Sequence, residues 1–504
     1  DMGGRSVNPR LQDRVRSCNR KPVNSEGKYV LYWMIANRRF NSNAALEYAA
    51  HLAKENNVPL LVLEEISTSH KFANDRICTF MVQGMLENIR IFKDNNIRYI
   101  PWVETPLSGH TGKLHDLSKD AVMIVTDDFP TYFPSKAVRH ASRSISRQMV
   151  AVDSNGVFPM SWTERAYPTA HGFRRFVHQN FVECMETWPQ SNPVPKDHSL
   201  WLDDDLFNQL SERWEFNVTP FEWLWRAGEP GRSGLEALST INIDHSVPPV
   251  PHARGGRSTA VRMLQEFLNN RLYRYADDRN QVKAPATSGL SPWFHFGHIS
   301  TIEVVQQILI TSNWDPETIQ MPRKGSREGW WNLDRSIESF LDQIITWREL
   351  GFNNAYHIPE HNQFESLPDW AKTTLMEHAS DERVQYTLKQ ITEADTHDEI
   401  WNAAQRQLVR DGIIHNYLRM LWGKRILEWS PSPQVAAEWM IELNDTYALD
   451  GRDPNSYTGI FWVLGRHDRA WGPERAIFGK IRYMSSANTR RKFDLKPYLQ
   501  EYRY

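Results

Sequence analysis

Apolar residues in the first third of the chain come in short unbroken runs: YVLYWM at 29–34, PLLVL at 59–63, RYIPWV at 98–103, AVMIVT at 121–126 and MVAVD at 149–153. Runs this short, bounded by polar residues, predict strands buried on both faces. Between them, apolar positions three or four apart predict helices over 43–55 and 77–93. The alternation predicts a Rossmann-like, doubly wound α/β domain with a parallel sheet, placed at 27–185. Neither a GxGxxG nor a Walker phosphate loop follows the first strand, so the topology suits a nucleotide but its fingerprint is absent. Residues 1–26 are polar, rich in Arg and Asn and without periodicity, and read as a mobile arm. Prolines at 193, 195, 248, 249 and 251 break up the next stretch, read as an interdomain connector over 186–255. Helical spacing then recurs at 258–271, 302–311, 334–350, 397–410 and 413–428, predicting a large all-α domain over 256–504.

The length of 504 residues agrees with more than one core. A net charge of −2 leaves no global basic field, so nucleic-acid binding would need a local patch. The three cysteines, Cys18, Cys78 and Cys184, fit no metal spacing and point to a reducing compartment. No apolar run is long enough to span a bilayer, and no apolar signal core opens the chain. These features lead to the expectation of a soluble intracellular monomer, cytoplasmic or nuclear, without membrane contact.

Aromatic residues make up 12% and include 20 Trp. Such flat, polarizable surfaces suit a flavin or stacked bases, and equally suit plain packing. Trp401, Trp422, Trp429 and Trp462 lie among polar and basic residues. Trp422 and Trp429 are two helical turns apart and share a face. Indoles stacked this way can relay single electrons between a buried redox cofactor and the surface; the bland reading is core packing. The segment TSGLSPWFHFG at 287–297 places hydroxyls and backbone N–H groups before a helix, as a pyrophosphate requires. Ser-Pro is also an ordinary way to begin a helix. Tyr275 could close over the same phosphates. Arg419 with Asp450 offers a cation and an acid that could stabilise negative charge on a flavin ring, or form a structural ion pair. Lys480, Arg482, Arg490, Arg491 and Lys492 form a basic cluster suited to phosphate contacts or to solvent.

Several long segments carry a more specific signal: WNAAQ at 401–405, LRMLWGKRILEW at 418–429, LND at 443–445, DGRDPN at 450–455 and GKIRYM at 479–484. Together with 287–297 they resemble the photolyase/cryptochrome flavoproteins, most closely the class II cyclobutane pyrimidine dimer (CPD) photolyases, from about residue 28 onward. The resemblance implies an FAD-dependent, light-driven enzyme that repairs UV-damaged DNA by electron transfer to a flipped pyrimidine dimer. Tyr275, Thr287, Ser288, Gly289, Leu290 and Ser291 would hold the FAD phosphates. Arg419 and Asp450 would flank the flavin ring, and Asn444 would hydrogen-bond near N5. Trp422, Trp401 and Trp429 would be the electron-transfer triad, with Trp422 nearest the flavin. Trp347, Met420 and Trp462 would line the lesion pocket, with Trp347 and Trp462 as its walls. A deazaflavin antenna is unassigned; TDDFP at 126–130 lies at a strand end where one could sit.

Three departures qualify the resemblance. Gln343 stands where class II places a glutamate expected to hydrogen-bond the dimer; an amide keeps a donor but supplies no proton. Asp342 would sit about 100° round the helix and compensate poorly. Asn416 follows His415 where class II has glycine, and could contact a base edge. The segment 313–331 is longer than usual, with Arg323, Lys324 and Arg327, and reads as an insertion rather than as a surface loop near DNA. Gln343 leaves open a cryptochrome-like photoreceptor with little or no repair, or a light-using flavoenzyme acting on a small molecule. Met420 lowers the odds of (6-4) repair. No long tail follows Phe493, which disfavours signalling.

Overall fold

The computed structural model describes residues 9–109, 112–195, 197–319 and 324–504. Six strands make one sheet: β1 (Val15–Ser17), β2 (Tyr29–Met34), β3 (Leu60–Ile66), β4 (Arg98–Val103), β5 (Ala121–Asp127) and β6 (Met149–Val152), in the order β1-β6-β5-β2-β3-β4. β2 to β6 run parallel, and β1 pairs antiparallel with β6. Every residue of β2 is buried. Val30, Tyr32 and Met34 enter one core cluster while Tyr29, Leu31 and Trp33 enter another. Alternate residues thus serve opposite faces, which is why the run reads as continuously apolar. Asn43 and Asn74 start the helices Ala44–Glu55 and Asp75–Asp94 by accepting the N–H of Leu46 and Ile77.

Of the stretch 1–26 read as a mobile arm, residues 1–8 lie outside the described residues, and the rest departs from that reading. From Pro9 it forms a 3-10 helix, Pro9–Arg14, and then β1. Arg14 is the physical reason: its buried guanidinium donates to the carbonyls of Asp153, Gly156, Val157 and Thr187. Hydropathy cannot register a cation satisfied by backbone oxygens.

The chain divides into two compact units. One comprises Asp1–Trp162, Asn180–Leu264 and Leu290–Asn313; the other comprises Thr163–Gln179, Gln265–Gly289 and Trp314–Tyr504. The sequence boundaries at 185 and 255 therefore fall inside the first unit. The stretch between them carries three short helices, Asp204–Ser211, Phe221–Ala227 and Arg232–Leu238. Leu202, Leu210 and Phe216 from it join one of the sheet's core clusters.

The second unit is helical. Its core gathers Trp401, Trp422 and Trp429 with apolar residues of Glu399–Asp411, Asn416–Trp429, Pro433–Tyr447 and Pro454–Val463. Asp398 caps the first of these helices, accepting the N–H of Ile400 and Trp401, and Gly412 ends it at φ +71°. Gly423 lets two helices touch: a Cβ there would lie 2.6 Å from Val463 Cγ2. The helix expected over 334–350 is not uniform. Arg335–Leu341 passes into a π-helical turn, Asp342–Trp347, before Arg348–His357 resumes α geometry. Among the described residues no helix is long and apolar enough to cross a membrane, and no group of three or more His, Cys, Asp or Glu residues is placed to hold a metal.

Candidate functional site

The helix Asn416–Trp429 carries most of the predicted chemistry. Trp422 and Trp429 are buried on it, and Trp401 is buried on the neighbouring Glu399–Asp411. The Trp401 indole N–H donates to the Trp422 carbonyl at 3.0 Å, and the Trp422 N–H donates to Gln405 Oε1 at 2.9 Å. Trp401 and Trp429 meet edge to face, with centroids 5.3 Å apart. The three predicted relay residues are therefore brought together. Tyr386 and His397 continue the contact beyond Trp429, with ring centroids 5.1 and 5.5 Å from it. Sequence reading gave neither a role: Tyr386 lies on a loop, and His397, expected to open the helix over 397–410, precedes the helix Glu399–Asp411. Gln405 closes the WNAAQ run at 401–405, but its part as acceptor for the Trp422 indole left no mark in the sequence.

Asn416 is exposed at the start of the same helix, with Met420 partly buried one turn on. His415 precedes them. Its Nε2 donates to the Gln281 carbonyl at 2.8 Å, and burial pushes its pKa below the usual imidazole range. Arg419 Nη2 lies 3.8 Å from Asp450 Oδ1, an ionic contact beyond hydrogen-bond range. Among the described residues the Arg419 guanidinium has no hydrogen-bond acceptor, although it is only 27% exposed. A cation held in place but not consumed is what a flavin ring carrying negative charge requires. Asn444 is buried on Pro433–Tyr447, and its Nδ2 donates to Asp445 Oδ1 at 3.2 Å. Asp445 also accepts the Arg452 N–H at 2.7 Å and the Tyr457 hydroxyl at 3.0 Å. Burial raises the Asp445 pKa, against the pull of Arg452. This network fixes the turn that carries Asp450.

Tyr275 is buried edge-on to Phe340, with centroids 5.2 Å apart; burial raises its pKa, and Arg279 opposes the rise. The Thr287 carbonyl accepts Arg271 Nε at 3.1 Å. Thr287, Ser288 and Gly289 end a segment of the helical unit, and Gly289 has φ +69°. Leu290 and Ser291 begin the next helix, Ser291–His295, and belong to the first unit.

Gln343 and Trp347 both lie on the π-helical turn, four residues apart and partly buried. Trp347 and Trp462 stack on each other, with centroids 4.9 Å apart and planes 16° from parallel. Rings in mutual contact leave no gap for a base between them, so the two residues expected as pocket walls make one two-ring face. Asp342 does not substitute for an acid at 343, because its carboxylate is taken by Arg174 at 2.7 and 2.9 Å.

The basic cluster divides by its partners. Arg482 pairs with Asp468 at 3.0 Å, and Arg490 pairs with Glu399. Lys480, Arg491 and Lys492 are exposed and have no acidic partner among the described residues. Lys492 Nζ lies 4.6 Å from the Tyr417 ring centroid. A second feature escaped sequence reading: Arg469 and Arg482 both stack on Trp471, at 3.7 and 4.3 Å from its centroid. The signal available was slight: Arg466 and Arg469 precede the single Trp471 in RHDRAW at 466–471.

In the long segment 313–331, Arg323 lies outside the described residues. Trp330 and Trp331 are buried, and Lys324 and Arg327 are exposed. At 126–130 the polar groups are already committed. Asp127 accepts the backbone N–H of Ile35, Ala36 and Asn37 and the Tyr32 hydroxyl, Thr126 donates to the Trp33 carbonyl, and Asp128 pairs with Arg16. The end of β2 is a common phosphate-binding position in such sheets; here the chain's own carboxylate fills it.

No protein-family model matches the chain. It is similar over almost its whole length to a deoxyribodipyrimidine photo-lyase of Methanothermobacter thermautotrophicus, with 31% identity covering 97% of this chain and 98% of that one. A protein of the same name from Potorous tridactylus is 31% identical, over 94% of this chain and 81% of that one. One from Oryza sativa subsp. japonica is 32% identical, over 94% and 87%. Among solved structures, a bacterial class III photolyase from Agrobacterium tumefaciens shares the fold with a TM-score of 0.59 at 18% identity, covering 94% of this chain and 86% of that one.

Proposed function

The chain belongs to the deoxyribodipyrimidine photo-lyase family of photolyase/cryptochrome flavoproteins, and on that premise we propose that it is a class II-type enzyme that binds FAD and splits cyclobutane pyrimidine dimers in UV-damaged DNA. The observation that carries the repair reading is the stacked Trp347–Trp462 pair beside Gln343. Such a two-ring face offers a flipped dimer an apolar surface with an amide at its edge. Flipping costs a few kcal/mol, and less for a damaged pair that stacks poorly.

The residues fit a flavin. Arg419 is an unconsumed cation steadied by Asp450, Asn444 is a buried amide, and Tyr275 with Thr287, Ser288 and Gly289 of the same unit provides hydroxyl and backbone groups for phosphates. Reduced and excited by light, the flavin would supply one electron to the dimer and take it back once the ring has opened. The protein's part is positional. Arg419 stabilises negative charge, Gln343 donates a hydrogen bond to the dimer, Met420 and Asn416 border it, and the buried indoles pass single electrons inward from the surface. Lys480, Arg491 and Lys492, with the Arg469–Trp471–Arg482 stack, would hold the DNA backbone and its strand opening. A deazaflavin antenna belongs to this reading only as an unassigned ligand of the first unit.

A photoreceptor with little repair is the second reading, and Gln343 is the residue that favours it. Purified protein, photoreduced and then illuminated with dimer-containing DNA, separates the two. Loss of dimers supports repair. Photoreduction without loss of dimers supports sensing.

A further inference from the structure

We propose that Arg174 is a positioning residue for the lesion pocket: it ties the tryptophan-rich segment before the pocket to the π-helical turn, and thereby sets the direction in which Gln343 and Trp347 point. The inference rests on the reading of those two residues as pocket residues.

A π-helical turn contains one more residue than the α turn it replaces, and the α-helical alternative rotates everything downstream by about 100°. Gln343 and Trp347 lie inside such a turn, Asp342–Trp347, with α-helix on either side. Their orientation therefore depends on whether the turn keeps its wide register. Asp342 is its first residue. Arg174 grips that residue with two parallel bonds, Nε to Oδ1 at 2.7 Å and Nη2 to Oδ2 at 2.9 Å. The Arg174 side chain is 4% exposed and that of Asp342 12%, so the pair is shielded and its geometry matters.

The remaining arm of the guanidinium reaches the other side. Arg174 Nη1 donates to the Gly325 carbonyl at 3.4 Å. Gly325 has φ +81°, and a Cβ there would lie 2.6 Å from Arg175 Cγ and 3.0 Å from the His171 carbonyl oxygen. One turn beyond Arg174 on the same helix, His178 stacks flat on Trp330, with centroids 4.2 Å apart and planes 3° from parallel. Trp331 packs edge-on to Trp330, and its carbonyl accepts the Trp314 indole N–H at 3.1 Å. The segment expected to be a mere insertion is thus buttressed on the helix that carries Arg174. One planar fork joins that buttress to the π turn, a task a lysine ammonium cannot perform.

The test uses the FAD-loaded full chain as wild type, the R174Q/D342N pair, which leaves no buried lone charge, and R174K, which keeps the charge and loses the fork. Two quantities are read: amide hydrogen exchange over 342–348, and the ratio of affinities for dimer-containing and undamaged DNA. Flavin absorbance and photoreduction rate serve as controls. In both variants exchange over 342–348 should rise about tenfold and the dimer preference should fall about tenfold, with photoreduction within about twofold of wild type, since small displacements at a site have large consequences. Unchanged exchange over 342–348 overturns the proposal. So does exchange that rises equally throughout the helical unit with loss of flavin, which marks a role in folding alone. A wild-type protein without dimer preference overturns the pocket reading instead, while the exchange data still decide whether Arg174 holds the turn.

Discussion

At position 343 an amide occupies a place where the family resemblance implies a carboxyl group, and its neighbour Asp342 is bound to Arg174. An amide donates without titrating. Dimer splitting by the wild-type protein should therefore show no pH dependence arising at this position. Gln343→Glu should raise the yield several-fold and make it increase as pH falls, since only the protonated acid can donate to the dimer carbonyl. Quantum yields measured from pH 5.5 to 8.5 would test this; parallel profiles for the two proteins would remove Gln343 from the pocket. Lys424 titrates differently. It is fully buried, its Nζ donates to the Val463 carbonyl at 2.7 Å, and burial pushes its pKa down to about 7. The unfolded chain keeps that proton to about 10.4, so between these values the unfolded state binds more protons and stability rises with pH. Below about 7 the folded protein bears the full cost of a buried charge. Relative to Lys424→Met, the wild type should gain up to about 1.4 kcal/mol per pH unit as pH rises from 7 to 10. Unfolding midpoints of the two proteins that stay a constant distance apart over that range would show that the ammonium never loses its proton.

The helix Asn416–Trp429 shows what the elements add to their residues. Its two indoles could act as a relay only because Glu399–Asp411 lays Trp401 against both the Trp422 carbonyl and the Trp429 ring. Trp422→Phe should slow flavin photoreduction at least about tenfold while FAD stays bound, because aromatic packing is retained and the oxidisable ring is lost. Normal photoreduction in that variant would mean that electrons enter by another route. The indole spacing was legible in the sequence because helical periodicity fixes which residues share a face. The five parallel strands were legible for a similar reason, each holding a short apolar run whose residues serve both faces of the sheet. β1 was not: it is the three residues VRS at a sheet edge, partly or fully exposed, and only pairing with β6 makes it a strand. The π turn was not legible either. LDQIITWREL at 341–350 has ordinary helical spacing, and a wider hydrogen-bond register leaves no mark in composition. Arg174 and the Arg469–Trp471–Arg482 stack depend on partners distant in the chain, which local pattern cannot supply.

Across the whole molecule the net charge is only −2, so attraction to DNA must come from cations that no acid has already neutralised. Of the five basic residues singled out in the sequence, Arg482 and Arg490 are paired with Asp468 and Glu399. Lys480, Arg491 and Lys492 remain exposed without an acidic partner among the described residues. Each phosphate neutralised by a free cation releases counterions and steepens the fall of affinity with salt by about 0.9 in a plot of log K against log [salt]. A cation already bound to a carboxylate gains less, because DNA must first compete with that carboxylate. Replacing Lys480, Arg491 and Lys492 together by Ala should therefore lower the salt slope of binding to undamaged duplex by roughly two to three. Replacing Arg482 and Arg490 together should lower it by clearly less. Fluorescence anisotropy titrations from 50 to 300 mM salt measure both slopes. If the paired arginines proved to carry the larger share, the DNA backbone would have to follow the Arg469–Trp471–Arg482 stack rather than the exposed C-terminal face.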